Sequence, residues 1–208
     1  LMIGTDATIA QLGWLLRINR ITITEDDYDV IKTLGALSYP FTKTILCPEV
    51  CAVGKWNHKK IGYAGYMKLG YLHPNVFKRD PKIPEKYNLV KKYEVIRLAK
   101  LTAHHDFGIK EIDESFLDKI ISEFVKHSIA VFISAEGNIS EKYRNYFFNI
   151  NPNDMHQILA NAEFLICDSQ SMCVEASMLG VPSVRFSSFA GRISVLEELE
   201  LHTSLLLA

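Results

Sequence analysis

The chain has 208 residues, of which 48% are hydrophobic and 23% are charged, and its formal net charge is −1 at pH 7. A chain of this length can bury a sizeable core in one large domain or two small ones. The near-neutral charge disfavours a nucleic-acid-binding protein, which usually carries a basic face. The near-neutral charge is compatible with a phosphate-bearing small ligand, because backbone amides can bind phosphate without an excess of Lys or Arg.

The sequence contains no apolar run of the roughly 18 to 20 residues that span a bilayer, and it opens without the features of a signal peptide. Its four cysteines are few for this length and are typical of reduced thiols. We therefore expect a cytoplasmic protein without a transmembrane segment. Cys47 and Cys51 resemble half of a zinc site, but no second cysteine pair follows, so we expect no metal.

Short β-rich apolar segments alternate with helical patterns along almost the whole chain. The predicted strands cover residues 1–4, 20–24, 44–46, 60–63, 93–97, 130–134, 164–167, 183–186 and 204–207. Between them, apolar residues recur at the spacing of 3.6 that marks a helix. This alternation predicts βαβ crossovers and a mainly parallel sheet, and therefore an α/β fold.

The regular alternation fails between about residues 64 and 92, a stretch that is rich in Pro and Tyr. We interpret it as a linker and predict two domains. Residues 1–90 would hold an incomplete N-terminal Rossmann-like domain and the linker, and residues 91–208 a C-terminal nucleotide-binding Rossmann-like domain. Ligands of such sheets bind outside the carboxyl ends of the strands, so we expect a site in a cleft between the two facing sheets.

The most informative segment is 164–182, where an apolar strand ends at Asp168 and small polar residues open a helix. Ser169 or Ser171 can cap that helix, and the amides at its start attract an anion such as a diphosphate. Glu175 lies about one turn further on, where a carboxylate suits the paired hydroxyls of a ribose. The spacing alone leaves open that the serines only cap and that Glu175 is a solvated helix residue.

This segment resembles the donor-binding signature of GT-B-fold proteins, especially the UDP-N-acetylglucosamine 2-epimerases. Their pattern is Asp-Ser-Gly-Gly-x-x-Glu-Glu-Ala, followed by a Leu-Gly-x-Pro turn. The matching residues are Asp168, Ser169, Glu175, Ala176, Leu179, Gly180 and Pro182. Gln170 and Ser171 replace the two glycines. The resemblance implies that Ser169, Gln170 and Ser171 contact the diphosphate of a UDP-sugar and that Glu175 contacts its ribose, with no further cofactor.

A second similarity to the epimerases lies in the loop 98–108, which follows a strand and precedes a helix. The resemblance places His104 at the family's loop histidine, as a catalytic candidate, and His105 at its arginine, as a nucleotide-binding candidate. Adjacent histidines can donate to phosphate or exchange protons near neutral pH. The alternatives are that one histidine caps a helix or is solvated, or that both bind zinc together with Asp106.

Two carboxylates follow the first two predicted strands. Asp6 lies in a turn similar to the epimerases' Gly-Asp-Thr, and Glu25 lies where that family has a glutamate. By the resemblance, both are catalytic candidates that move protons at the sugar. The alternatives are that Asp6 is an ordinary N-cap and that the acids Glu25 to Asp27 cap a helix beginning at Tyr28. Three neighbouring acids are costly to place without a cation or a ligand that uses them.

Two further stretches are candidates for nucleotide contacts. Glu136 and Gly137 end a predicted strand, and in GT-B proteins the equivalent loop lies beside the nucleotide, although a simple turn is the alternative. Asn153 is a predicted helix cap, and the amide of Met155 behind it could meet the base or a phosphate.

Over its whole length the chain also resembles a little-characterised archaeal and bacterial GT-B-like group, whose members carry an additional front half-domain. The residues that carry this similarity are 25–29, 71–74, 103–106 and 168–171. The resemblances imply a nucleotide-sugar-dependent enzyme, and we favour a GT-B-type glycosyltransferase with a UDP-sugar donor. A non-hydrolysing UDP-N-acetylhexosamine 2-epimerase and a catalytically silent nucleotide-sugar-binding protein are the alternatives. We expect no nucleic-acid partner and retain a homodimer as a candidate assembly.

Overall fold

The structure is a computed structural model that describes residues 1–89, 92–98, 112, 114–137, 140–186, 191–203 and 205–207. The chain forms two compact units. The first comprises Leu1–Gly70 and Gly191–Glu198, and the second comprises Tyr71–Ala190 and Leu199–Ala208. The boundary near residue 90, drawn where the sequence pattern resumes, stays a prediction.

The first unit contains a four-stranded parallel sheet with the strand order β1-β2-β3-β4. Its strands are β1 (Met2–Gly4), β2 (Arg20–Ile23), β3 (Thr44–Pro48) and β4 (Lys60–Tyr63). Parallel neighbours need a crossover connection. Helices α1 (Ala7–Leu15) and α2 (Lys32–Ser38) and a 3-10 helix (Gly54–Lys59) provide these crossovers. The short helix α3 (Leu69–Leu72) follows.

The second unit contains a five-stranded parallel sheet with the order β6-β5-β7-β8-β9. Its elements, in chain order, are α4 (Lys82–Glu85), β5 (Tyr93–Leu98), α5 (Glu114–Lys126), β6 (Ala130–Ala135), α6 (Met155–Ala160), β7 (Phe164–Cys167), α7 (Gln170–Met178), β8 (Ser183–Arg185), α8 (Ser194–Thr203) and β9 (Leu206–Leu207). Helix α8 begins within the residues of the first unit. Each predicted strand overlaps an observed one, and the α/β class is confirmed.

An apolar layer between α5 and the second sheet forms part of the core of this unit. Leu117 and Ile121, one helical turn apart on α5, pack with Ile96 of β5 and Ile133 of β6. The charged residues of α5 are exposed, so the helix is amphipathic and buries one face. No helix among the described residues is both long and apolar enough to cross a membrane.

The acidic run after β2 is fixed by hydrogen bonds rather than exposed to solvent. Asp27 is buried, and its carboxylate accepts from the Ala52 amide at 2.6 Å, the Ser194 amide at 2.7 Å and the Ser194 hydroxyl at 2.9 Å. Since Ser194 opens α8, Asp27 satisfies an amide at the start of that helix. A helix beginning at Tyr28 is not observed, because α2 begins at Lys32.

Candidate functional site

The carboxyl ends of β5 and β7 form a topological switch point in the second sheet. The connection from β5 leads to β6 on one side, and the connection from β7 leads to β8 on the other. Ligands of open parallel sheets bind in the crevice outside such a switch point. Arg97 and Cys167 are register partners across β5 and β7, so Arg97 and the turn after Cys167 lie on the two sides of this crevice.

A pocket of about 430 Å³ opens at this edge of the second sheet. Its polar lining includes Arg97, Ser134, His156 and Glu175. Its apolar walls include Phe147, Phe148, Ile150, Met155 and Met172. Apolar walls with a few converging polar groups are typical of small-molecule sites.

Glu175 presents a buried carboxylate to this pocket, and 8% of the residue is exposed. The Tyr71 hydroxyl donates to its Oε1 at 2.6 Å, and His156 Nε2 lies 3.4 Å from its Oε2. The rings of Tyr71 and His156 also contact each other, with centroids 5.3 Å apart. Glu175 is therefore not a solvated helix residue, and it is held between two side chains at the pocket wall.

The start of α7 has the geometry predicted from the sequence. Ser169 is the N-cap, and its hydroxyl accepts from the Met172 amide at 3.5 Å. Gln170 is the first helical residue, and Ser171 is exposed in the first turn. The helix that begins here contributes Met172 and Glu175 to the pocket.

Replacement of Ser169 by alanine is expected to lower the free energy of unfolding by about 0.5 to 1 kcal/mol, because the Met172 amide loses its acceptor. The hydrogen bond is long, which places the expected loss at the low end of N-cap substitutions. Chemical denaturation of the parent and the variant measures the difference. Ser171→Ala in the same turn is the control, and it should be neutral or slightly stabilising since alanine is the better helix former. Equal losses in both variants would contradict the assignment of the cap.

Arg97 supplies the positive charge of the pocket. Its Nη1 donates to the Ser134 hydroxyl at 2.6 Å, and its Nη2 donates to Glu136 Oε1 at 2.5 Å. Its Nε is buried and has no hydrogen-bond acceptor among the described residues. Glu136 and Gly137 lie directly after β6, and the Glu136 carboxylate faces Arg97 in an ion pair.

The carboxylate candidates Asp6 and Glu25 lie in the first unit, beyond the carboxyl ends of the neighbouring strands β1 and β2. Asp6 is exposed and caps α1 by accepting from the Thr8 amide at 2.7 Å. Hydrogen bonds from the side chain and then the amide of Thr8 lower the pKa of Asp6. Glu25 is buried, and its carboxylate accepts from the Met67 amide at 2.7 Å and pairs with the Lys68 ammonium. Each carboxylate therefore has a structural partner within the first unit.

Two predicted site residues, His104 and His105, lie outside the described residues. The four cysteines are buried free thiols, and the Cys51 thiol donates to the Glu25 carbonyl at 3.2 Å. Burial raises the pKa of the Cys51 thiol. Within the described ranges, no group of three or more His, Cys, Asp or Glu side chains is arranged to hold a metal ion.

Solved structures share this α/β fold. S. aureus MnaA, solved with UDP, superposes with a TM-score of 0.66 at 14% identity, over 99% of this chain and 61% of that one. The UDP-GlcNAc 2-epimerase of Methanocaldococcus jannaschii, in complex with UDP-GlcNAc and UDP, gives 0.64 at 13% identity, over 99% and 64%. The UDP-N-acetylglucosamine 2-epimerase of Rickettsia bellii gives 0.59 at 14% identity, over 97% and 64%. The chain has the fold of these proteins.

The similarity is one of fold, at sequence identities below 15%. The predicted GT-B-like α/β fold and the predicted resemblance to the UDP-N-acetylglucosamine 2-epimerases are confirmed at that level. The chain spans less than two thirds of the length of each of these proteins. No protein-family model and no curated protein matches the sequence.

In this GT-B-like chain, the pocket brings together predicted and unpredicted residues. Met155 and Glu175 were expected near a nucleotide, and both line the pocket. Arg97 and His156 also line it and were not expected there, and neither was the contact of Tyr71 with Glu175. A charged residue at the end of a buried strand is a signal that could have identified Arg97. The contacts of Tyr71 and His156 with Glu175 have no local sequence signal, since the tyrosine lies 104 residues before its partner.

Proposed function

We propose that this chain binds a UDP-sugar through the pocket of its second unit and acts as part of a GT-B-type glycosyltransferase. The observation that carries the proposal is the buried carboxylate of Glu175 in that pocket. It lies on the helix whose start flanks the switch point of the sheet. This combination suits a ligand with paired hydroxyls next to an anionic group.

In this proposal, Glu175 accepts hydrogen bonds from the ribose hydroxyls. The diphosphate lies at the start of α7, near Ser169, Gln170 and Ser171, where backbone amides and the helix dipole favour an anion. Arg97, which pairs with Glu136, adds guanidinium donors at the same edge of the sheet. His105 is a further candidate for the phosphates.

The base occupies the apolar part of the pocket in this proposal. Phe147 and Phe148 supply aromatic walls, and Met155 lies at the start of α6. Glu136 and Gly137 border the same region after β6. Aromatic side chains suit a planar base because their faces stack on it.

For the chemistry, we assign proton transfer to His104 together with Asp6 or Glu25. In glycosyl transfer, an acceptor hydroxyl attacks the anomeric carbon, the bond from that carbon to the diphosphate oxygen breaks, and UDP leaves with the electron pair. The proton of the acceptor passes to the base. A general base of this kind contributes about 10² to 10⁴ in rate.

A UDP-N-acetylhexosamine 2-epimerase is the second candidate. It is favoured by the fold neighbours from Methanocaldococcus jannaschii and Rickettsia bellii, which are named UDP-N-acetylglucosamine 2-epimerases. The replacement of the signature's two glycines by Gln170 and Ser171 favours the transferase. Following sugar transfer and epimerisation separately with one donor distinguishes the two reactions.

Calorimetric titration with UDP, GDP and UMP tests the shared part of both proposals. We expect UDP to bind about tenfold or more tightly than either of the others, since each lacks one group for which the pocket has partners. GDP reports on the base and UMP reports on the second phosphate. Equal affinities, or no heat with any of the three nucleotides, would remove the nucleotide assignment.

A further inference from the structure

We propose that Tyr71 and His156 are positioning residues that hold the Glu175 carboxylate in the orientation required for the two ribose hydroxyls. This inference rests on the proposed nucleotide site and adds two residues that the signature segment does not contain. It concerns the recognition of the ribose and not of the base or the phosphates.

The geometry divides the two oxygens of Glu175 between two partners. Oε1 accepts from the Tyr71 hydroxyl at 2.6 Å, and Oε2 lies 3.4 Å from His156 Nε2. An ionised carboxylate has about four lone-pair sites, so it can accept from side chains and from ligand hydroxyls together. Two oxygens with fixed directions match the two adjacent hydroxyls of a ribose.

A free glutamate side chain has many rotamers, and ordering it on ligand binding costs free energy. Here the ordering precedes binding, because contacts on both oxygens restrict the carboxylate. The rings of Tyr71 and His156 contact each other at a centroid distance of 5.3 Å, so the two partners also support one another. Glu175 is buried, and a carboxylate in that position needs hydrogen-bonded partners whether or not a ligand is bound.

The test compares UDP with 2′,3′-dideoxy-UDP, which lacks both ribose hydroxyls, in calorimetric titrations of the full chain. Tyr71→Phe removes only the hydroxyl that contacts Glu175. We expect it to weaken UDP binding about three- to tenfold and to change dideoxy-UDP binding less than about twofold. His156→Gln is the second variant, and it should likewise weaken the binding of UDP more than the binding of dideoxy-UDP.

Tyr87→Phe is the matched control, since the Tyr87 hydroxyl also donates to a carboxylate, Asp154 Oδ2 at 2.8 Å. Neither Tyr87 nor Asp154 lines the pocket, and this variant should bind both nucleotides like the parent. Thermal melting of all variants shows whether each is folded.

Two results would overturn the inference while leaving the nucleotide site intact. In one, the parent binds UDP, and the Tyr71→Phe and His156→Gln variants bind it equally well. The other is an equal loss of affinity for UDP and dideoxy-UDP, which would mean that the contacts only support the fold. A parent that binds neither nucleotide would instead refute the proposed function, and the inference with it.

Discussion

Replacement of Glu175 by alanine is expected to weaken UDP binding by about 1 to 3 kcal/mol, which is roughly five- to 150-fold in the dissociation constant. The loss follows from the proposed hydrogen bonds between the carboxylate and the ribose hydroxyls, which are charge-assisted and form in a buried position. Isothermal titration calorimetry of the parent and the variant measures it directly. Chemical denaturation of both proteins accompanies the titrations, because the substitution also removes the acceptor of the Tyr71 hydroxyl.

Two further variants make this result specific to the carboxylate. Glu175→Gln keeps the length of the side chain and loses the charge, so it should retain part of the affinity. Glu123→Ala removes an exposed glutamate of α5, and it should bind UDP like the parent. If Glu175→Ala binds UDP as tightly as the parent, Glu175 is not part of the site and the interpretation of the pocket is wrong.

Replacement of Asp27 by alanine is expected to lower the free energy of unfolding by about 2 to 4 kcal/mol. The carboxylate is 5% exposed and accepts three hydrogen bonds, from the Ala52 amide and from the amide and hydroxyl of Ser194. Hydrogen bonds to a charged group contribute about 1.5 to 3 kcal/mol each when one partner is removed, but they are not additive within one network. Urea denaturation followed by circular dichroism gives the difference.

Asp29→Ala is the control for Asp27, since its side chain lies two residues away and is 85% exposed in an ion pair with Lys32. Such surface ion pairs contribute between zero and about 1 kcal/mol to the free energy of unfolding, so we expect a small loss in this variant. The loss in the free energy of unfolding for Asp27→Asn should fall between the losses for the two alanine variants, because the amide oxygen of asparagine can still accept a hydrogen bond. A loss below about 0.5 kcal/mol for Asp27→Ala would show that the network contributes little.

The α/β architecture could be predicted because its signal is local and repeated. Each strand is a short apolar run, each crossover carries the helical period, and the parallel pairing follows from their alternation. The start of α7 was predictable for a similar reason, since the amide that Ser169 caps lies only three residues further on and no distant partner is needed. The signature residue Glu175 lies on the same short segment.

The remaining features depend on contacts between residues that are far apart in sequence. The period of a helix shows which face of α7 is buried, but not that Tyr71 and His156 meet Glu175 there. Glu25 illustrates the same limit. Its position after β2 suggested a catalytic carboxylate, while its contacts with Met67 and Lys68 arise from packing over more than 40 residues.

Asp27 and Ser194 are hydrogen-bonded to each other but far apart in sequence, so the ribosome synthesises them at different times. The first unit ends with Gly191–Glu198, so its amino-terminal residues leave the ribosome well before the last part of their own unit is translated. The two residues are 167 positions apart, and at 5 to 20 residues per second the delay is roughly 10 to 30 seconds. During that interval the second unit can fold as a nearly continuous segment, whereas the buried carboxylate of the first still lacks two of its donors. The first unit therefore completes the hydrogen bonds of Asp27 only after most of the second unit has been synthesised.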